Sequence, residues 1–130
     1  MKPPPSSPIT SHVLDTALGR PARDLAVRLD VLDDGGAWRT VAERVTGDDG
    51  RVADFLDASA FVDASAFVDA STFTARTYRL TFATGAYFAA SGRAAFYPRV
   101  EVIFDVAAPG EHYHIPLLLS PFGYSTYRGS

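Results

Sequence analysis

The chain has 130 residues, of which 47% are hydrophobic and 21% are charged, and it contains no cysteine. This length is typical of one domain with its own core, and the lack of cysteine excludes disulfides, a thiol nucleophile and cysteine-ligated metals. Twelve basic against fifteen acidic residues give a net charge of −3, which argues against a nucleic-acid partner because phosphate binding needs a basic face. The sequence has no run of about 18 apolar residues, so no membrane partner is expected.

The N-terminal segment 1–8 reads MKPPPSSP. It lacks the apolar stretch of a secretory signal, and its consecutive prolines favour an extended, solvated backbone. We therefore predict a disordered arm over 1–8, a single domain over 9–130 and a cytoplasmic location.

Short strands separated by turn signals are predicted in the first part of the domain. Segment 9–15 is rich in β-forming residues, and alternate positions in 25–32 are apolar, as in a strand with one buried face. The Asp-Gly-rich segment 33–36 tolerates positive φ and predicts a hairpin to a strand over 38–46. A similar turn follows at 47–50.

The second part of the domain continues the same pattern. Strands are predicted at 77–82, 100–106, 112–119 and 122–128. The helix candidate is 84–92, with Thr84 as N-cap and Gly92 as the residue that ends it. Pro116 interrupts the third of these strands and predicts an edge or a bulge there. The whole pattern predicts a mainly β protein, an antiparallel β-sandwich with one short helix.

A repeat of period six occupies 55–73 and reads FLDASAFVDASAFVDASTF. As a strand it would have no apolar face, and as a helix a six-residue step of about 240° would spread Phe55, Phe61 and Phe67 around the axis. Either a duplicated loop or strand extension, or a contact surface of exposed Phe-Val pairs, is consistent with this pattern.

The three histidines are the residues best suited to chemistry. His112 and His114 are two positions apart, so on a strand both point the same way. Together with His12 they are compatible with metal binding, with metal-free acid–base catalysis, or with neither. Arg51 follows a turn, where a side chain is easily presented at a rim, and Arg128 can hold a planar or anionic ligand through two hydrogen bonds.

Several segments together resemble the transthyretin-related 5-hydroxyisourate hydrolases. They are SHVLDTALGRPA at 11–22, DGR at 49–51, TYRLTF and TGAYF within 77–88, FYPRVEVIF at 96–104, and HYHIPLLLSPFGYSTYRGS at 112–130. The closing YRGS resembles a tetrapeptide that marks these hydrolases and that the thyroid-hormone carriers of the same fold lack. The resemblance runs from about residue 9 to the end, and it makes 55–73 an insertion.

This resemblance implies a transthyretin-like sandwich of two four-stranded sheets. It also implies a homotetramer, a dimer of dimers, with active sites in the channel between the dimers. The implied reaction is the hydrolysis of 5-hydroxyisourate to 2-oxo-4-hydroxy-4-carboxy-5-ureidoimidazoline in urate degradation, without a metal or an organic cofactor.

The same resemblance assigns roles to individual residues. It implies a catalytic trio of His12, Arg51 and His114. Substrate binding is assigned to His112, Tyr127, Arg128 and Ser130. A non-catalytic small-molecule carrier and a metalloenzyme built on the three histidines are the competing interpretations.

Overall fold

The computed structural model describes residues 7–56 and 74–130. The strands are β1 (Ile9–Asp15), β2 (Arg20–Pro21), β3 (Ala26–Leu32), β4 (Trp38–Val45), β5 (Arg51–Val52), β6 (Thr77–Phe82), β7 (Val100–Asp105), β8 (Tyr113–Ser120) and β9 (Gly123–Thr126). One helix, α1 (Thr84–Ala89), occurs in these two ranges. Nothing helical in them has the length and apolar character that crossing a membrane requires.

The strands form two sheets. The first has the order β4-β3-β6-β7 and is antiparallel throughout. The second has the order β2-β1-β8-β9, with β5 also paired to β1. The expected sandwich with one short helix is confirmed, but β1 and β8 run parallel, and β5 makes this sheet five-stranded. A parallel pair needs a long connection, and here most of the chain lies between the two strands.

The core lies between the two sheets and follows the period-two pattern of the sequence. On β3 and just before it, Leu25, Val27, Leu29 and Val31 are at most 2% exposed. From the other sheet, the inward side chains of β8 include the buried Leu117. Each such side chain contributes about 1.5–3 kcal/mol when fully buried. Because one face of each strand is inside, the alternate residues of β1 and β8 point outward.

The helix is shorter than predicted and begins differently. Its N-cap is Ala83, so Thr84 is the first helical residue rather than the cap, and the helix ends at Ala89. The chain after the helix is anchored to the end of β1, since Arg93 Nη2 donates to the buried Asp15 Oδ2 at 2.8 Å. This ion pair fixes the helical layer relative to the second sheet.

Pro116 lies inside a sheet, which corrects the expectation of an edge or bulge. Strand β8 is flanked by β1 and β9. The Pro116 carbonyl accepts a hydrogen bond from Thr126 Oγ1 at 2.7 Å. Proline is accommodated because it lies between the β8–β9 ladder, which begins at Leu117, and an isolated bridge from His114 to Gly129.

Contacts of the domain start slightly before the expected boundary. Ser7 is buried and its Oγ donates to the Ile9 carbonyl at 2.7 Å, while Pro8 accepts a hydrogen bond from Tyr113 N. Phe55, the first residue of the repeat, is fully buried in the core. The rest of the repeat prediction, and the arm prediction over 1–6, lie outside the described residues.

Candidate active site

Three strands bring basic side chains to one outer face of the second sheet. On β1, Ile9 and Val13 are fully buried in the core, so the alternate residues Thr10 and His12 belong to the outer face. In the sheet register His12 lies opposite Arg51 of β5, and Thr10 lies opposite His114 of β8. Paired residues of neighbouring strands share a face, so the register alone gathers these groups.

The turn before β5 positions Arg51. Its backbone N–H donates to Asp49 Oδ1 at 3.0 Å, and its carbonyl accepts from Gly47 N at 3.1 Å. Gly50 has φ +75°, and a Cβ there would lie 2.5 Å from the Val13 carbonyl oxygen. Val13 N in turn donates to the Gly50 carbonyl at 2.9 Å. Only glycine allows this close approach, which holds Arg51 against β1.

A cavity of about 390 Å³ opens on this face. It is lined by Thr10, Ser11, Arg51, Val52, Ala53, His112, His114 and Ser130. Four of the seven predicted site residues therefore surround one space. His12 is not among these lining residues, but it pairs with the lining residue Arg51 in the sheet register. The lining contains no aspartate or glutamate, so the cavity is basic and suited to an anionic ligand.

A single hydroxyl joins two of the histidines. Thr10 Oγ1 is 2.8 Å from His114 Nδ1 and 3.0 Å from His112 Nε2. The two imidazole rings are 6.3 Å apart and inclined by 21°. Within the described parts of the chain, no three histidine or acidic side chains form a group able to hold a metal ion.

The surroundings of His114 keep its ring neutral at neutral pH. Burial lowers the pKa of His114 below its ordinary value of 6.5, and the nearby charges of Arg51, His112 and His12 lower it further. A neutral imidazole offers one donor and one acceptor nitrogen. It is therefore equipped for acid–base work or for donating a hydrogen bond to a developing negative charge.

Tyr127 and Arg128 lie on the other side of His114. Arg128 Nη2 donates to Glu111 Oε2 at 2.8 Å, and its guanidinium carbon is 4.4 Å from the centroid of the Tyr113 ring. Both predicted residues line a second cavity of about 270 Å³, which His114 also borders. The two cavities thus share one imidazole.

Two residues of the site, Thr10 and Gly129, were not predicted from the sequence. Thr10 could have been found, because it lies two positions before His12 and so on the same strand face. Nothing in the sequence indicated a separate role for Gly129 within the YRGS tetrapeptide. Its N–H donates to the His114 carbonyl at 2.8 Å, and a Cβ on Gly129 would lie 2.7 Å from His114 Cδ2.

The fold and this cavity define a transthyretin-like β-sandwich that carries a basic, histidine-rich site on one outer face. The family model described as HIUase/Transthyretin family matches residues 9–129, and the chain belongs to this family. It is 40% identical over 126 residues to the 5-hydroxyisourate hydrolase of Mus musculus, covering 96% of this chain and 97% of that one. The family resemblance seen in the sequence is confirmed.

Solved structures of two kinds share the fold. Sea bream transthyretin in complex with thyroxine matches with a TM-score of 0.78 and 31% identity over 94% of both chains. The 5-hydroxyisourate hydrolase of Klebsiella pneumoniae matches with a TM-score of 0.74 and 35% identity, over 97% of this chain and all of that one. Since a thyroxine complex and a hydrolase both match, the fold does not distinguish binding from catalysis, and the side chains at the cavity carry the functional argument.

Proposed function

We propose that this protein hydrolyses 5-hydroxyisourate to 2-oxo-4-hydroxy-4-carboxy-5-ureidoimidazoline, a step of urate degradation. The observation that carries the proposal is the convergence of Arg51, His112, His114 and Ser130 on one basic cavity. The names of the mouse and Klebsiella relatives support the substrate. The substrate is flat, polar and readily anionic, which suits an arginine surrounded by imidazole and hydroxyl groups.

Opening a cyclic amide requires three contributions. The oxygen of a water molecule bonds to the ring carbonyl carbon, and a base takes one of its protons. The carbon–nitrogen bond then breaks, and the departing nitrogen receives a proton. His12 and His114 divide this work, one as the base and the other as a hydrogen-bond donor, and such acid–base help typically gives about 10²–10⁴-fold in rate. Arg51 keeps its proton, so it orients the substrate and stabilises the oxyanion, a contribution worth ~3–4 kcal/mol.

The remaining predicted residues border the reacting groups. His112 and Ser130 line the same cavity as Arg51, and we assign them to substrate binding. Tyr127 and Arg128 line the adjoining cavity. We assign them to the wall of the substrate site behind His114. The chemistry without metal or organic cofactor and the cytoplasmic location stay predictions.

We further propose a homotetramer, a dimer of dimers, in which another subunit closes the cavity. The transthyretin-like fold supports this arrangement. Phe96, Ile103 and Phe122 are all more than half exposed, and large apolar side chains left on a surface are typical of protein contacts. The solution mass from light scattering tests it, and a monomer at micromolar concentration would contradict it.

The test of the function follows the substrate directly. Urate oxidase and urate generate hydroxyisourate, whose transient absorbance decays slowly without a catalyst. We expect the purified protein to accelerate this decay in proportion to its concentration. The competing small-molecule carrier would instead bind a ligand saturably and leave the decay rate unchanged.

A further inference from the structure

Thr10 has one hydroxyl proton but two ring nitrogens within hydrogen-bond distance. The hydroxyl can donate to only one of the two rings, so at least one ring donates its N–H to the threonine oxygen. His114 Nδ1 and His112 Nε2 therefore cannot both accept a hydrogen bond from Thr10. Thr10 is 7% exposed, so water has little access to compete for these bonds.

The two distances indicate which ring accepts. Among hydrogen bonds to oxygen, those donated by hydroxyl groups are short, about 2.7–2.8 Å, whereas N–H···O bonds cluster at about 2.9–3.0 Å. The 2.8 Å contact to His114 Nδ1 matches a bond donated by Thr10. The 3.0 Å contact matches a bond that His112 Nε2–H donates to Thr10.

The opposite edge of the His114 ring is held by Gly129. A Cβ at Gly129 would lie 2.7 Å from His114 Cδ2, 3.3 Å from His114 Cγ and 3.3 Å from Pro116 Cγ. The glycine backbone therefore packs directly against the ring edge. Thr10 and Gly129 hold the two edges of the ring, and this fixes which nitrogen meets the threonine.

We infer that Thr10 is a positioning residue that fixes the neutral His114 ring with its proton on Nε2. This inference rests on the proposed hydrolysis and assigns different roles to its two histidines. With Nε2 protonated, His114 is a hydrogen-bond donor in the resting site. His12 is then the base that takes the proton from water.

With these roles, the hydrolysis proceeds in the following steps. His12 takes a proton from water as the water oxygen bonds to the ring carbonyl carbon. His114 Nε2–H and Arg51 stabilise the oxyanion. The oxyanion collapses, the carbon–nitrogen bond breaks, and the proton on His12 passes to the departing nitrogen. His114 remains neutral throughout, which agrees with its lowered pKa.

Other charged and titratable groups near His114 also influence its pKa, which is one of the quantities measured in the experiment below. They are Arg51 from β5, His12 from β1 and His112 before β8, with Asp105, Tyr127 and Arg128 around the adjoining cavity. A bond donated to Nδ1 stabilises the neutral ring. Removal of the Thr10 hydroxyl is therefore expected to raise the pKa of His114 towards its ordinary value.

The experiment compares Thr10→Val, which removes the hydroxyl at nearly constant shape, with Thr10→Ser, which keeps it. Long-range ¹H–¹⁵N spectra of the full chain report which nitrogen of each histidine is protonated. Thr16→Val is the matched control, because Thr16 Oγ1 donates to the Leu119 carbonyl at 3.1 Å and Thr16 does not line the cavity. Rates of hydroxyisourate decay are measured on the same samples.

We expect wild type and Thr10→Ser to show His114 protonated on Nε2, and Thr10→Val to lose this preference with a raised pKa of His114. We expect kcat to fall about 100-fold in Thr10→Val, the typical cost of a misplaced reacting group, with KM nearly unchanged and Thr16→Val like wild type. Protonation of His114 on Nδ1 in wild type, or an unchanged tautomer and kcat in Thr10→Val, would overturn the inference. A wild-type protein that does not accelerate the decay would instead refute the proposed function, while the spectra still decide the tautomer.

Discussion

The outer faces of the two sheets both carry arginines, but the arginines have different partners. On the four-stranded sheet, the buried Asp30 accepts hydrogen bonds from Arg28 Nε at 3.3 Å and from Arg79 Nη2 at 2.9 Å, and Trp38 stacks 4.3 Å from the Arg79 guanidinium. On the five-stranded sheet, the cavity at Arg51 is lined by imidazoles and hydroxyls. An arginine that pairs with a buried carboxylate is needed for stability, because its loss leaves that charge uncompensated. A basic cavity without carboxylates instead attracts an anionic ligand.

The sharpest test of this contrast removes one arginine from each face. Arg51→Ala is expected to lower kcat/KM by about 10²–10³-fold, because it removes the stabiliser of the oxyanion. Arg28→Ala, the matched control, is expected to keep wild-type turnover, because Arg79 still holds Asp30. Both are measured by hydroxyisourate decay, and equal losses in the two variants would remove the distinction between the faces.

The reverse prediction concerns stability. Arg79→Ala leaves the carboxylate of Asp30 buried with only the longer contact to Arg28, so the free energy of unfolding should fall by about 3 kcal/mol. Urea titration measures the loss, and activity per folded molecule should not change. Arg51→Ala should be nearly neutral in the same titration, since its side chain is exposed. A large loss of stability in Arg51→Ala would show that it too is a structural arginine.

The turn before Arg51 offers a smaller effect that links backbone to chemistry. Gly50→Ala forces a Cβ towards the Val13 carbonyl at positive φ, a strain of order 1–3 kcal/mol. We expect reduced stability together with a higher KM, because Arg51 is displaced from the cavity. Gly36→Ala is the control, since Gly36 also has positive φ but an added Cβ there meets nothing within 4 Å. If both variants keep the wild-type KM, the turn does not position Arg51.

The smallest expected effect is a dependence of stability on pH. Since the folded state lowers the pKa of His114 below 6.5, the unfolded chain binds more protons between that lowered pKa and 6.5. The free energy of unfolding should therefore fall as the pH drops through this window. Thermal unfolding at several pH values, with His114→Gln as the reference, measures the contribution. If wild type instead gains stability relative to His114→Gln as the pH drops, the predicted sign is wrong.

Much of the fold could be predicted because its information is local. Alternation in 25–32 identifies the buried face of β3, and the Asp-Gly turns mark its hairpin. The parallel pairing of β1 with β8 could not be predicted this way, because it depends on how residues about a hundred positions apart meet. The internal position of Pro116 has the same origin.

The residues of the site could likewise be predicted only in part. Arg51, His112, His114 and Ser130 could be named in advance because the segments around them resemble a family. The bridge from Thr10 to two histidines could not, since it is a matter of two distances across the β1–β8 pair. The contact of Arg128 with Glu111 was missed for a related reason, because residue type alone does not show which partner a guanidinium takes.

The basic cavity on the β1–β8 face is proposed to be a hydrolytic site. The most direct measurement is hydroxyisourate decay with the wild-type protein and with the double variant Arg51→Ala/His114→Ala, whose folding is checked by near-ultraviolet circular dichroism. Wild type should accelerate the decay, and the folded double variant should leave it at the uncatalysed rate. Equal acceleration by both proteins would contradict the account.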